Sequence, residues 1–69
     1  MRRNERTIFV RLRELREIRG LTQADLARKV GVRQATISNL ETGKSGRIAF
    51  ALLERLSKTL HVRPSELFR

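Results

Sequence analysis

The chain has no cysteine, no tryptophan and no tyrosine, a single proline, and only seven acidic residues. Without cysteine there is no disulfide, and one histidine, His61, is too few for a zinc site. The longest apolar run, IAFALL at residues 48–53, is too short to cross a membrane, and MRRNER leads into no signal-type apolar stretch. We therefore expect no metal, no cofactor and no membrane association, and a cytoplasmic protein.

Basic residues dominate the charge, with sixteen lysines and arginines and a formal net charge of +9. Thirteen of them are arginines, whose forked guanidinium suits phosphate and guanine. A polyanionic partner is expected. The alternative explanation for the charge is that the protein is a soluble domain from a genome that favours arginine. Composition alone indicates non-specific attraction to anions and does not indicate the fold. At 69 residues the sequence predicts one domain, 1–69, whose core is marginal enough to make a homodimer expected.

Apolar residues recur at helical spacing, and no stretch alternates with period two. The sequence therefore predicts an all-α fold of five helices. Their expected ranges are 6–19, 23–30, 34–41, 49–60 and 64–68, and Pro64 fits the first position of the last one. The expected core includes Ile8, Leu12, Leu15, Leu26, Ala27, Val30, Ile37, Leu40, Phe50, Leu53, Leu56, Leu60, Leu67 and Phe68.

The start and end of the second helix have clear local signals. Thr22 can cap it, and Asp25, three residues later, completes a capping-box pattern. Gly31 supplies the left-handed residue that ends it. The third helix follows after only two more residues, so the pair is expected to cross steeply as a helix-turn-helix.

The third helix has a face that is polar and uncharged. At about 100° per residue, Ile37 and Leu40 point to one side, and Ala35, Ser38 and Asn39 to the other, flanked by Gln34 and Thr36. Amide side chains offer a donor and an acceptor to adenine, and a methyl group can contact thymine. We interpret this face as a DNA-reading surface. An ordinary solvated helix face is the alternative.

Two further positions suggest contacts with the DNA backbone. Arg33 occupies the expected N-cap of the third helix, where Ser, Thr, Asp or Asn would stabilise it by about 1 kcal/mol. A cation there could reach a phosphate or a guanine, although packing alone could also hold a poorly capped helix. Gln23 opens the second helix with a backbone N–H and an amide that can both hold a phosphate oxygen. The alternative interpretation is that Gln23 is there only because glutamine has a high helix propensity.

The stretch LRELREIRGLTQADLARKVGVRQATISNLETGK, followed by LERLSKTLHVRPSELF, resembles the helix-turn-helix domain of phage repressor and Cro-type transcriptional regulators. In that family the second helix of the pair lies in the major groove and the first crosses the backbone. The resemblance implies base readout by Gln34, Ala35 and Asn39, backbone or base contacts by Arg33 and Thr36, and phosphate contacts by Gln23, Lys44 and Arg47.

The resemblance also implies a partly buried ion pair. Glu41 lies beside the apolar side of the third helix and at its negative dipole end, so it needs a cation. The matching position in the first helix is Arg16. Two unrelated surface charges are the alternative.

The chain departs from the family at His61, where a glycine or asparagine is usual, and we interpret this residue as a strained left-handed cap. The turn TGKSGRIAF is slightly longer than is usual in the family. Whether Arg47 extends far enough to contact a phosphate is therefore left open by the sequence. Residues 1–5 are either a basic arm or a disordered end. Phe9, Ile48 and Leu52 are not clearly directed into the core, so they are either a dimer interface or core residues.

Sequence-specific binding of double-stranded DNA as a repressor-type dimer is the function that these features favour. A protein-binding module on the same fold, such as an antitoxin or an antirepressor target, is the alternative. An enzyme is not expected, because the sequence offers no nucleophile and base, paired carboxylates or phosphate-binding glycine loop. RNA binding would lack aromatic stacking residues, because phenylalanine is present only three times.

Overall fold

The computed structural model describes Phe9, residues 11–44 and residues 47–68. The α-helices of this part are α1 (Leu12–Ile18), α2 (Gln23–Val30), α3 (Gln34–Thr42) and α4 (Phe50–Leu60). A 3₁₀ helix, Pro64–Phe68, follows. No strand occurs in these ranges, and none of their helices is long and apolar enough to span a membrane. The all-α prediction is therefore confirmed for this part of the chain.

The count of five α-helices is wrong, because the last predicted helix is a 3₁₀ helix of five residues. Its tighter i to i+3 pairing appears in the hydrogen bond from the Glu66 N–H to the Arg63 carbonyl, 2.9 Å. Leu67 is fully buried as expected, and its carbonyl accepts from the Arg11 N–H at 3.4 Å. The segment thus closes the core against the start of α1. The Phe68 side chain lies outside the described part.

The first helix begins later than predicted. Phe9 and Arg11 lie before α1, and the Leu12 N–H donates to the Phe9 carbonyl at 3.1 Å in a tight turn. This turn directs the Phe9 side chain into the core, where only 2% of the residue is exposed. A continuous helix over residues 6–19 is therefore wrong. The expected core residue Ile8 and the expected basic arm, residues 1–5, lie outside the described residues.

The turn between α2 and α3 follows the local signals. The Asp25 N–H donates to Thr22 Oγ1 at 2.9 Å, and the Thr22 N–H donates to Asp25 Oδ2 at 3.0 Å, which completes the capping box. The bond from the Thr22 N–H lowers the pKa of Asp25. Gly31 then adopts φ 79°, and the Val32 N–H donates to the Ala27 carbonyl at 2.9 Å. Helix α2 is therefore fixed at both ends, and α3 begins three residues after Gly31.

Helix α4 buries most of the predicted face, because Leu56 and Leu60 are fully buried and Leu53 packs partly buried against the core, but it differs at Leu52 and Phe50. Leu52, Leu56 and Leu60 are buried, whereas Phe50 is 70% exposed. Phe50 lies six residues before Leu56 and is therefore rotated about 120° from it around the helix axis. The prediction of Phe50 as a core residue is wrong.

The predicted dimer interface is also corrected. Phe9 and Leu52 belong to the same core cluster as the leucines of α1 to α4, with 2% and 8% exposed. Buried side chains cannot present an apolar patch to a second copy, so the alternative, that both are core residues, is the correct one. Ile48 is half-buried against the core.

Two arginines bind the carbonyl ends of helices. Arg19 Nε donates to the Leu60 carbonyl at 3.0 Å, at the end of α4. Arg55 Nε donates to the Val30 carbonyl at 2.9 Å, at the end of α2. The last carbonyls of a helix have no partner within it and favour a cation. These arginines therefore connect α1 to α4 and α4 to α2.

Residue His61 ends α4 in the left-handed conformation, with φ 59° and ψ 43°. It is the one non-glycine residue with positive φ in the described ranges. A side chain in this conformation costs roughly 1–2 kcal/mol, and glycine avoids that cost but gains freedom in the unfolded chain. We predict that His61→Gly raises the free energy of unfolding by about 0.5 to 1 kcal/mol, measured by urea denaturation.

His61→Ala is the control, because alanine keeps the strain of a β-carbon in this conformation. A glycine variant no more stable than the alanine variant would contradict the prediction.

Candidate nucleic-acid interface

Helix α3 has one buried face and one open face. Ile37 and Leu40 are 0% and 1% exposed and belong to the core. Gln34, Ala35 and Asn39 are exposed. These two apolar side chains hold the helix to the core, so the amide-bearing side is turned to solvent as predicted. Thr36 and Ser38, on its flanks, are half-buried.

The expected pair between Arg16 and Glu41 is present. Arg16 Nε donates to Glu41 Oε2 at 2.6 Å, and Arg16 Nη2 donates to Glu41 Oε1 at 3.3 Å. The two side chains are only 9% and 3% exposed. The short bond to Glu41 raises the pKa of Arg16 above its ordinary value. Arg16 Nη1 also donates to the Leu21 carbonyl at 2.7 Å, so one guanidinium joins α1, the segment before α2 and the end of α3.

The side chain of Gln23 links this pair to the open face. Gln23 Nε2 donates to Glu41 Oε1 at 2.9 Å, and Gln34 Nε2 donates to Gln23 Oε1 at 3.3 Å. The sequence predicts only a phosphate contact for Gln23 and indicates neither of these two bonds. They join residues 18 and 11 positions apart, and no local pattern in the sequence reports such pairings.

Cations lie both on α1 and at the ends of α3. On α1, Arg11 Nε lies 3.4 Å from Glu14 Oε1, and Arg13 Nε lies 3.4 Å from Glu17 Oε2. Each of these arginines lies beside a glutamate of its own helix. Three further cations are exposed at the N-cap of α3 or after its C-terminal end: Arg33, Lys44 and Arg47.

The two ends of α3 set the position of two of these cations. Arg33 is its N-cap, with extended backbone and no capping bond from its side chain. At the other end, the Lys44 N–H donates to the Asn39 carbonyl at 2.9 Å, just beyond the left-handed Gly43. The open face is therefore flanked by a positive charge at each end.

The geometry offers hydrogen-bond donors, acceptors and cations but no cluster for metal chemistry. In the described ranges, no three His, Cys, Asp or Glu side chains gather as a metal site would need. Such a surface is suited to binding an anionic, hydrogen-bonding partner.

Comparison with known families agrees with this geometry. Residues 12–67 match the helix-turn-helix family, which covers most of the chain and both helices of the turn. The chain belongs to this family of Cro/C1-type transcriptional regulators. An HTH-type transcriptional regulator of Archaeoglobus fulgidus is 43% identical over 61 residues, covering 84% of this chain and 81% of that protein.

Two further comparisons give the fold and the extent of similarity. The crystal structure of the restriction-modification controller protein C.AhdI from Aeromonas hydrophila superposes with a TM-score of 0.80 and 31% identity, covering 93% of this chain and 97% of that chain. The HTH-type transcriptional regulator for conjugative element SXT of Vibrio cholerae is 36% identical over 47 residues. That similarity spans 68% of this chain but only 22% of the Vibrio protein.

The buried ion pair should dominate the stability of this interface. Replacing Arg16 by alanine would leave Glu41 charged, buried and without its cation. We predict that Arg16→Ala lowers the free energy of unfolding by on the order of 3 to 5 kcal/mol, measured by chemical denaturation.

The matched control is Arg13→Ala, which removes an exposed arginine of the same helix paired with Glu17. Its loss should be no more than about 1 kcal/mol. Equal effects of the two variants would show that the buried Arg16 pair contributes no more to stability than the exposed Arg13 pair.

Proposed function

We propose that the protein is a sequence-specific regulator that binds double-stranded DNA with α3 in the major groove. The supporting observation is the exposure of Gln34, Ala35 and Asn39 on a helix whose opposite side is fixed in the core. A major groove admits one α-helix, and the family docks this helix there.

Four side chains of α3 are proposed to read bases. Gln34 and Asn39 present amides that match the donor and acceptor of adenine. Ala35 can contact a thymine methyl group, and the Ser38 hydroxyl can donate or accept on the flank of the face. The set is uncharged, so its contribution is to select bases, whereas attraction to the duplex comes from the cations around it.

Contacts with phosphates are proposed for Gln23, Arg33, Thr36, Lys44 and Arg47. Gln23 is the first residue of α2, and its backbone N–H has no acceptor within the helix. One of its two amide hydrogens goes to Glu41, which leaves the other for a phosphate oxygen. The positive helix end and both donors therefore suit an anion at this position.

One reading helix contacts only a few base pairs, so useful specificity calls for two copies. We propose a homodimer on a palindromic operator whose half-sites lie one helical turn apart, roughly 34 Å. Selection of bound duplexes from a random pool would return the operator, its symmetry and its spacing together. A recovered motif without two-fold symmetry would contradict this arrangement.

The exposed side chain of Phe50 is proposed as part of the dimer surface. Phe50 is the first residue of α4 and lies two residues after Ile48. Of the three residues of the predicted interface, Ile48 is the one that is only partly buried against the core. Exposed aromatic side chains supply much of the energy of protein interfaces.

The names of similar proteins indicate the kind of process in which they act. They include a restriction-modification controller protein and regulators for conjugative elements. We propose that this protein is likewise a transcriptional regulator acting on DNA in the cytoplasm. Co-purification with a second protein at fixed stoichiometry would instead favour a protein-binding module.

Alanine substitutions of base-reading residues and of phosphate-binding residues should change DNA binding in different ways. We predict that Asn39→Ala costs about 1 to 3 kcal/mol of binding free energy at particular operator positions only. Lys44→Ala should weaken binding to every duplex and lower the slope of log affinity against log salt by about one. Fluorescence anisotropy titrations on operator variants at several salt concentrations would measure both.

Each of the two variants is the control for the other, because both lie on the same exposed surface. A uniform loss for Asn39→Ala would show that it is not a reader, and an unchanged salt slope for Lys44→Ala would remove it from the phosphate ligands.

Dimerisation should depend on Phe50. We predict that Phe50→Gln raises the dimer dissociation constant roughly tenfold or more, because burial of a phenylalanine side chain stabilises by about 1.5–3 kcal/mol. Sedimentation equilibrium would measure the constant, and the exposure of Phe50 predicts little change in the unfolding free energy.

The matched control is Ile18→Gln, which removes the other large exposed apolar side chain of the described residues, 65% exposed against 70% for Phe50. An unchanged constant for Phe50→Gln, or an equal rise for Ile18→Gln, would exclude the assignment.

A further inference from the structure

Four side chains form a continuous chain of hydrogen bonds from the core to the open face of α3. Arg16 donates to Glu41, Gln23 donates to Glu41, and Gln34 donates to Gln23. We call this set the relay. It leads from a side chain that is 3% exposed to one that is exposed to solvent.

The buried end of the relay has a fixed polarity. An arginine guanidinium only donates hydrogen bonds and is always protonated. Glu41 accepts two hydrogen bonds from this guanidinium, and a carboxylate oxygen that accepts from Arg16 offers Gln23 only an acceptor. The side chain of Gln23, 2.9 Å from Glu41 Oε1, must therefore turn its NH₂ group to Glu41 and its oxygen away.

The same rule determines the orientation of Gln34. Gln23 Oε1 can only accept, so Gln34 turns its NH₂ group toward Gln23, at 3.3 Å. One hydrogen of that group is used in this bond. Gln34 is left with one N–H and its carbonyl oxygen for a base in the groove.

Adenine matches these two remaining groups, because N7 accepts and the N6 amino group donates. Guanine presents acceptors at both N7 and O6, so its O6 would face the Gln34 oxygen. We propose that Glu41, acting through Gln23, is a positioning residue that sets the preference of Gln34 for adenine over guanine. This inference rests on the proposed role of Gln34 as a base reader.

Replacing Glu41 by glutamine should reverse the relay. The oxygen of the new amide must stay on Arg16 Nε, because that contact is the shorter, at 2.6 Å against 3.3 Å. The new NH₂ group then takes the place of Oε1, gives up the bond that Oε1 accepted from Arg16 Nη2, and donates to Gln23. Gln23 turns its own NH₂ group to Gln34, and Gln34 presents its NH₂ group to the groove, where it favours the acceptors of guanine.

The test measures the ratio of the dissociation constants for guanine and adenine duplexes at the operator position read by Gln34. That position is the one at which Gln34→Ala abolishes discrimination among duplexes selected from the random pool. For the wild type we expect a ratio of about ten or more in favour of adenine. Glu41→Gln should lower the ratio by at least about tenfold. The fraction of folded protein cancels in such a ratio, so a loss of stability does not affect it.

A second variant leaves the Arg16–Glu41 pair intact. Gln23→Leu cuts the relay and lets the Gln34 amide turn either group to the groove, so the ratio should fall below the wild-type value, even if affinity falls on all duplexes. The ratio should still favour adenine, because an unrestrained amide can match adenine. The control is Arg19→Gln, which removes the arginine bond to the Leu60 carbonyl outside the relay and should leave the ratio unchanged.

The outcomes separate the two proposals. If Gln34→Ala changes discrimination at no position, Gln34 is not a reader and both fall together. If it does, and Glu41→Gln and Gln23→Leu both keep the wild-type ratio, only the inference on Glu41 is overturned.

Discussion

The buried ion pair between Arg16 and Glu41 is the interaction on which the geometry of the interface depends. A charge in the core is costly unless its partner is held in good geometry, and here the pair has a 2.6 Å bond and a further bond from Arg16 to the Leu21 carbonyl. These contacts hold the end of α3 against α1 and the segment before α2. Since Ile37 and Leu40 fix the apolar side of the same helix, its rotation is determined, and the amide-bearing face has one direction in which to point.

The distribution of charge matters more than its total. The formal net charge is +9, yet several arginines serve the fold: Arg16 in the ion pair, Arg19 and Arg55 on helix carbonyls, and Arg11 and Arg13 beside glutamates of their own helix. At the two ends of α3, positive potential for a polyanion is supplied by the exposed Arg33 and Lys44. Net charge from composition indicates the class of partner, but only the pairing in the fold locates the surface.

Helix ends that depend on neighbouring residues could be predicted from the sequence, whereas contacts between distant elements could not. Thr22, Asp25 and Gly31 act within a few residues of themselves, so the sequence alone placed α2 and the start of α3. The burial of Phe9 and Phe50 depends on how distant elements meet. Phe9 packs in one core cluster with leucines from α1 to α4, and the buried arc of α4 leaves Phe50 outside it. The contacts of Gln23 with Glu41 and Gln34 were missed for the same reason, because they exist only once α2 and α3 cross.

For the proposed role of Gln34 as a base reader, the relay also bears on the free energy of binding. A free glutamine side chain on a surface helix must be immobilised when it binds a base, at about 0.5–1.5 kcal/mol for a flexible side chain. Gln34 is already tethered to Gln23 before DNA arrives, and the tether ends on a carboxylate that the core holds in place. Part of the ordering cost is thus met during folding. Because the buried end of the relay is ionic, its polarity cannot fluctuate without breaking the ion pair. The stability of the fold and the orientation of the amide proposed to read a base therefore share one interaction.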